Sequence, residues 1–340
     1  MKDDRIRMAH GSGGALMHDL VARVIVPRFG GAVLARLEDA AELPDVAGRR
    51  LEGGRLAFTT DSYVVQPLFF PGGDIGTLAV AGTVNDLAVK GAEPACLTLA
   101  LVIEEGFAVA DLERVLDSAA ATARRAGVAV VAGDTKVVER GAIGGLIVNT
   151  AGVGVVPDGV ALGCERVREG DAVVVSGTVG DHETAIVIAR KELTVEGVVE
   201  SDCAPVHEVA RAVLAACPQA RVMRDPTRGG LATTLNEIAS SSGVGITLDE
   251  RAVPVRPAVR AVCDILGFDP LYMACEGKLV AVVPGSAAGA AVEAMRAVPL
   301  GRDTAVVGGV GGRPGVFVRT AVGGVRPLIM LEGAQLPRIC

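Results

Sequence analysis

The sequence predicts a two-domain protein of mixed α/β (α+β) class that ends in a short C-terminal tail, and three observations carry that expectation. At 340 residues the chain is long for one domain and comfortable for two, each able to bury its own core. Half of it is hydrophobic, but with no Trp, 2 Tyr and 7 Phe the core must be Val, Leu, Ile and Ala, while 44 Gly mark many turns. Both halves alternate apolar strands with helices, which argues for two α+β domains rather than a solenoid. The polar, turn-rich run from Pro157 to Arg168 separates them, giving domains at 1–160 and 161–330 and a tail at 331–340.

The composition also excludes several function classes. Mean hydropathy is high at +0.44, yet no stretch approaches the roughly 18 uninterrupted apolar residues of a spanning helix. Met1-Lys2-Asp3-Asp4-Arg5 runs into no apolar signal core. Forty acidic and 33 basic residues give a formal charge of −7 with the signs interspersed, so there is no basic stripe for nucleic acid. Seven scattered Cys without a C-x-x-C pair suggest neither a zinc knuckle nor a disulfide framework. Reduced thiols in a cytoplasm fit best.

In order along the chain, Ala9-His10-Gly11-Ser12-Gly13-Gly14 is a Gly-rich turn before an apolar-periodic segment, Ala15 to Val26, closed by Pro27. Such a cluster is either only a turn or a row of backbone N–H groups open to phosphate. Arg55 to Ser62 reads as a strand ending at Asp61. Asp74 is a plausible N-cap for a helix in which Val80, Val84 and Leu87 keep helical spacing, with Gly91 and Pro94 as its stop. Asn85-Asp86 inside it is poor helix chemistry, marking either an exposed polar face or a functional site. Cys96 to Ile103 reads as a strand, Asp111 to Ala126 as an amphipathic helix, and Val128 to Ala132 as a strand running out at Gly133-Asp134-Thr135-Lys136. In extended geometry Asp134 and Lys136 share one face. Gly144 to Val156 is a further strand.

The second half restarts with a strand, Asp171 to Ser176, a turn through Gly180-Asp181-His182 and a helix carrying Ala185, Ile188 and Ala189. Val206 to Ala216 is another helix, and Met223 to Gly230 is a turn, with Asp225 before Pro226, into the helix Leu231 to Ser240. Strands follow at Gly245 to Leu248, Gly277 to Val283 and Thr304 to Val310, with Glu276 just before the second.

Asp61, Asp86, Asp134 and Asp225 each stand at an element end or in a turn, flanked by Thr, Asn or Gly. Isolated Asp residues of this kind are caps, or, converging on one cleft, an oxygen set suited to Mg²⁺ and phosphate. No Walker A motif and no dinucleotide fingerprint is present, so a phosphate ligand would be held in some other way. The chain then stops on a thiol, Gly333-Ala334-Gln335-Leu336-Pro337-Arg338-Ile339-Cys340. Pro337 biases Leu336 toward extended geometry, and a strap of this length reaches roughly 25 Å. Its apolar Leu336 and Ile339 are unlike a solvated tail.

These motifs together resemble the HypE family of hydrogenase maturation factors. The residues that carry the likeness are Ala9 to Gly14, Thr59-Thr60-Asp61-Ser62, Phe69 to Lys90, Gly133 to Val138, Asp225 to Ala232, Glu276-Gly277-Lys278 and the terminal Pro337-Arg338-Ile339-Cys340. The likeness runs from about Ile6 to Cys340, and the Pro-Arg-Ile-Cys ending is its most specific part. The wider superfamily includes aminoimidazole ribonucleotide synthetase, selenophosphate synthetase and thiamine-monophosphate kinase.

The resemblance implies an aminoimidazole ribonucleotide synthetase-like fold, a flexible tail, and an ATP-dependent dehydration that supplies cyanide to [NiFe]-hydrogenases. A carbamoyltransferase, HypF, would load Cys340, ATP would phosphorylate the amide oxygen, and loss of phosphate would leave a thiocyanate. Carried over, Asp61, Asp86, Asp134 and Asp225 are the candidate Mg²⁺–ATP ligands, and His10, Gly11, Ser12, Gly13, Gly14, Asn85 and Thr135 lie along the nucleotide. Lys136 and Glu276 are the candidate bases for the amide nitrogen. On the residues alone, Lys136 equally reads as a salt-bridge partner of one of those Asp and Glu276 as a strand-edge surface charge. Arg338, or a base of the loading partner, is expected to offset the chain's own carboxylate beside the thiol, the alternative for Arg338 being a pairing with phosphate. The expected partners are HypF, a HypC–HypD iron scaffold and a second copy of the chain, whose N-terminal sheet pairs with the first. The chain departs from the family at Glu183, where Gly is usual, and at Cys275, where Asn is usual. A related synthetase acting on a small molecule, or a non-enzymatic scaffold, are the alternatives; the lack of any Cys before Cys96 disfavours a selenophosphate synthetase.

Overall fold

The computed structural model describes residues 8–11, 14–29, 36–43, 45–46, 49–50, 52–191, 199–333, 335–336 and 339–340. Two sheets organise them. The first has the order Ala41–Leu43, Gly54–Tyr63, Leu146–Pro157, Glu93–Glu104, Ala129–Val138. Its pairings are antiparallel except the last, where Ala129–Val138 runs parallel to Glu93–Glu104 after a crossover through the helix Val109–Ala126. Parallel neighbours need such a crossover. The last strand does not run out at Gly133 but continues to Val138, because Glu93–Glu104 offers it a partner as far as Glu104. Asp134, Thr135 and Lys136 therefore lie in mid-strand, on the outermost strand of this sheet.

The second sheet has seven strands in the order Val222–Arg224, Val280–Pro284, Asp171–Val175, Ala305–Val310, Gly245–Asp249, Gly315–Arg319, Val325–Pro327. Val, Ala and Leu dominate its core, as the dearth of aromatic residues requires.

Between the two sheets runs the helix Ile75–Val89, started by Asp74, whose Oδ1 accepts the N–H groups of Gly76 (2.8 Å) and Thr77 (2.9 Å). Every residue of this helix except Asp86 is buried. It is apolar all round because it has neighbours all round: the first sheet, the helix Val109–Ala126, and the helix His207–Ala216 of the second half.

The N-terminal segment differs from its expected form. Pro27 does not close a single helix; Ala15–Leu20 passes through a wider π turn, Val21–Ile25, into Val26–Phe29. Pro27 is tolerated there because the first turn of a new helical segment needs no N–H from it. Among the described residues no helix is long and apolar enough to cross a membrane.

Candidate active site

The strand Gly54–Tyr63, the helix Ile75–Val89, the helix Gly230–Ser242 with the turn before it, and the N-terminal helix Ala15–Leu20 surround a cavity of ≈ 320 Å³. Asp61, Asp86, Asp225, Glu276 and Cys340 all line it. Residues spread over most of the chain thus meet because a strand end, a helix side, a turn and the tail converge on one point.

Each acid is positioned by its own element. Asp61 accepts a hydrogen bond from the Tyr63 hydroxyl at 3.1 Å. Gly82 makes room for that ring, since a Cβ there would stand 2.3 Å from Tyr63 Oη. Asp86 Oδ2 accepts from the Thr59 hydroxyl at 2.7 Å. Asp225 precedes the left-handed pair Gly229 (φ 78°) and Gly230 (φ 59°), which start the helix Gly230–Ser242 against the carbonyls of Leu271 and Met273. Burial first, then repulsion from Asp61 and Asp225, holds the Asp86 carboxyl well above the usual carboxylate range. Burial and the neighbouring Asp39 do the same to Asp225.

Glu276 is almost fully buried at 2% exposure, and its Oε1 has no hydrogen-bond partner. Its backbone is clamped on both sides. The N–H donates to Asp202 Oδ1 at 3.0 Å, and the carbonyl accepts from Asn85 Nδ2 at 3.2 Å. Asp202 is itself paired with buried Lys278 at 3.0 Å. Burial and the acids Asp225 and Asp202 push the Glu276 carboxyl well up, against the pull of Arg228.

The tail enters this cavity. Gln335 Oε1 accepts from the Asp269 N–H at 3.1 Å, and Leu336, Ile339 and Cys340 pack into the core with Tyr63, Phe70 and Ile186. Burial, then Glu276, raises the Cys340 thiol pKa, while Arg228 opposes the shift. The expected help from Arg338 falls outside the described residues, as do Ser12 and Gly13.

Several sequence expectations land elsewhere. Asn85 does not line the cavity: its side chain bonds the backbone of Ala204 (3.1 Å), Glu276 (3.2 Å) and Val206 (2.7 Å), stapling the helix Ile75–Val89 to the second half. Asp134, Thr135 and Lys136 are exposed on the edge strand, away from the cavity of their own chain. His10 is buried, and Gly14 abuts the base of the tail, where a Cβ would meet the Leu331 carbonyl at 2.3 Å. Only backbone is described for Gly11, within the turn Met8–Gly11.

A further polar network, which no sequence pattern pointed to, lines the cavity. Buried Arg224 donates to Asp39 Oδ1 (2.9 Å), Glu237 Oε2 (3.0 Å) and the Leu37 carbonyl (3.2 Å), and Glu237 Oε1 pairs with His18 at 2.7 Å. These groups join the N-terminal helix to the second sheet and to the segment before Ala41–Leu43, and they line the same cavity. The signal available was Arg224 beside Asp225, in a turn already singled out for its acid.

The two departures from the family pattern also find their places. Cys275 is fully buried, its sulfur accepting the Gly180 N–H at 3.2 Å, so it offers no accessible thiol. Glu183 lies in the first turn of Asp181–Lys191, where the backbone is helical and Gly is not required; Gly180 (φ 83°) makes the preceding turn. Its Oε2 accepts the Ala274 N–H at 2.8 Å, and burial pushes its carboxyl up to about 7. With the folded value above the ordinary 4.5, the stability it contributes is fully present below pH 4.5 and is lost as pH rises through about 7. Glu183→Gln, neutral at every pH, is expected to gain about 3 kcal/mol on the wild type between about pH 4 and pH 8. Urea titrations at the two pH values check this, and a pH-independent difference contradicts it.

The donor set suits a hard cation in part. Asp61, Asp86 and Asp225 are oxygen-only groups on one cavity whose mutual repulsion a cation would relieve. Among the described residues, no group of three or more His, Cys, Asp or Glu side chains is placed to hold a metal ion by itself.

The fold and cavity define a class first. The AIR synthase related protein N-terminal domain model matches residues 37–156 and its C-terminal domain model matches 168–320. Within that class the likeness narrows. Carbamoyl dehydratase HypE of Bradyrhizobium diazoefficiens is 52% identical over 338 residues, covering 98% of this chain and 96% of that protein. A crystal structure of hydrogenase maturation protein HypE in complex with ATP aligns with a TM-score of 0.81 at 45% identity, covering 99% of this chain and 100% of that one. The crystal structure of a HypE–HypF complex gives 0.86 at 42% identity, covering 94% and 100%. The chain belongs to the carbamoyl dehydratase HypE family.

Proposed function

We propose that the protein is an ATP-dependent carbamoyl dehydratase that acts on its own C-terminus in hydrogenase maturation. The observation that carries this reading is the Cys340 thiol seated inside an acid-lined cavity beside Glu276. An amide oxygen is a poor leaving group, and transfer of the ATP γ-phosphoryl to it makes departure feasible. That transfer, with release of one N–H proton and of ADP, gives an O-phosphoryl imidate, R–S–C(=NH)–O–phosphate; loss of phosphate then breaks the C–O bond while the nitrogen gives up its second proton, leaving S–C≡N on Cys340. Glu276, in the ionised form that Arg228 favours, is the base for that nitrogen: its Oε1 is unengaged and its backbone is fixed at both ends.

Asp61, Asp86 and Asp225 would hold Mg²⁺, which supplies charge neutralisation for the triphosphate when bound. Arg228, on the same wall, balances the thiol and the acids. Inward, the thiol is held protonated and is a poor nucleophile, so carbamoyl loading by HypF belongs to the tail swung outward. A HypC–HypD complex would receive the product, in a cytoplasmic setting.

The working unit is a homodimer. The strand Ala129–Val138 is an exposed sheet edge carrying Val130, Val131 and Val137 at 45%, 64% and 60% exposure. Exposed apolar edges are normally covered. A second copy would cover this one and bring Asp134, Thr135 and Lys136 into a shared site. Val131→Lys is expected to shift the sedimentation mass toward one chain; a one-chain mass already in the wild type at micromolar concentration contradicts the dimer.

The reading is tested by ATP turnover measured with and without a carbamoyl-loaded tail. ADP release only with the loaded tail is expected. Equal turnover without it would move the protein to a synthetase or kinase acting on a free small molecule.

A further inference from the structure

The segment that seats the tail contains a residue to which nothing so far gives a task. His182, fully buried at the start of the helix Asp181–Lys191, has Nε2 2.7 Å from the carbonyl oxygen of Ile339, the residue before the reactive thiol. Its Nδ1 lies 2.7 Å from Ser201 Oγ. Ser201 Oγ accepts the Cys203 N–H at 3.1 Å, and Phe70 meets the imidazole edge-on at a centroid distance of 5.4 Å.

The chemistry of these partners sets the tautomer. A carbonyl oxygen only accepts, so Nε2 carries the hydrogen and donates it. Burial lowers the imidazole pKa, keeping the ring neutral, so Nδ1 has only a lone pair to offer. Ser201, already accepting from Cys203, donates its hydroxyl hydrogen to that lone pair. The result is a one-directional chain of donors: Cys203 N–H to Ser201, Ser201 O–H to His182, His182 N–H to the tail.

The geometry points to His182 as the positioning residue that latches the tail inward, fixing the penultimate peptide so that the Cys340 thiol stands at the cavity. The Ile339 side chain, at 3% exposure, supplies apolar attraction but no direction. The hydrogen bond supplies the direction, and Ser201 sets it by fixing the tautomer. The inference rests on the proposed dehydration for its purpose but not for its readout.

The test compares the alkylation rate of Cys340 by iodoacetamide, read by peptide mass, in wild type, His182→Leu, His182→Gln and Ser201→Ala. Cys96 is the internal reference, and loading by HypF and subsequent water loss are followed in parallel. Loss of the donor leaves the Ile339 carbonyl without its partner, so Cys340 alkylation in His182→Leu is expected to rise about tenfold. Ser201→Ala frees the tautomer and is expected to raise the rate several-fold, whereas Gln, which restores a donor at the reach of Nε2, returns it toward wild type. Carbamoyl loading should hold or rise while water loss slows, a split that a merely structural role would not give. Wild-type Cys340 reactivity in Ser201→Ala overturns the latch, even should His182→Leu fail to fold. Faster alkylation in a protein that never loads carbamoyl would keep the latch and remove the dehydratase reading instead.

Discussion

Cys340→Ala is expected to abolish carbamoyl uptake and every later step while leaving the fold and ATP binding in place. The terminal sulfur is the only atom in the account that carries the group being dehydrated. The side chain is one of several tail contacts, and Leu336, Ile339 and the Gln335–Asp269 pair remain in the variant. Truncation to Ala therefore removes the acceptor without removing the seat. The check is intact mass after exposure to HypF, carbamoyl phosphate and ATP, with the thermal midpoint measured alongside. A variant that still gains a carbamoyl group would place the acceptor elsewhere. Cys96 would be the first candidate, since it and Cys340 are the free thiols that are not fully buried.

Glu276→Gln should separate loading from dehydration. The substitution keeps volume and leaves the backbone clamp by Asp202 and Asn85 intact, but Gln cannot take a proton. Loss of a positioned general base lowers the rate by about 10²–10⁴-fold. The carbamoylated tail should accumulate because its nitrogen keeps its proton. Removing a buried acid from beside Asp225 and Asp202 should also leave the protein at least as stable, since those groups repel it. Rapid-quench measurement of water loss from preloaded protein checks this. An unchanged rate would pass the role to Lys136 of a second copy.

How much of this was legible in the residues depends on what each signal encodes. The helix Ile75–Val89 announced itself through Asp74 and its apolar spacing, and the violation at Asn85-Asp86 read either as an exposed polar face or as a functional site. Spacing could not say which of the two faces the cavity. One residue of rotation separates Asp86, on the cavity, from Asn85, which ties down the backbone of Glu276. Asp134 and Lys136 illustrate a different limit. Their shared face follows from the two-residue period, but strand order decides whether that face meets Asp61, and the strands Glu93–Glu104 and Leu146–Pro157 intervene. Order depends on pairings far apart in sequence, which no local pattern records.

The Arg224–Asp39–Glu237–His18 network escaped for the same reason: partners up to 219 positions apart meet only after folding. Two helices, Pro257–Leu266 and Ala288–Arg296, also went unread. For the first the punctuation was present, with Pro257 at its opening and Gly267 as its left-handed cap. The tail gave its direction through composition alone: apolar Ile339 is buried and Leu336 half-buried against the same core.

The central claim is that the last residue of the chain carries the substrate into an ATP site. It is tested most directly by following the intact mass of the wild-type protein, first with HypF, carbamoyl phosphate and ATP, then, after HypF and nucleotide are removed, with and without fresh Mg²⁺–ATP. The account predicts the gain of one carbamoyl group, mapped to the C-terminal peptide, and then the loss of one water from that same peptide. A stable carbamoyl adduct that never loses water, or a water loss that proceeds without ATP, would contradict it.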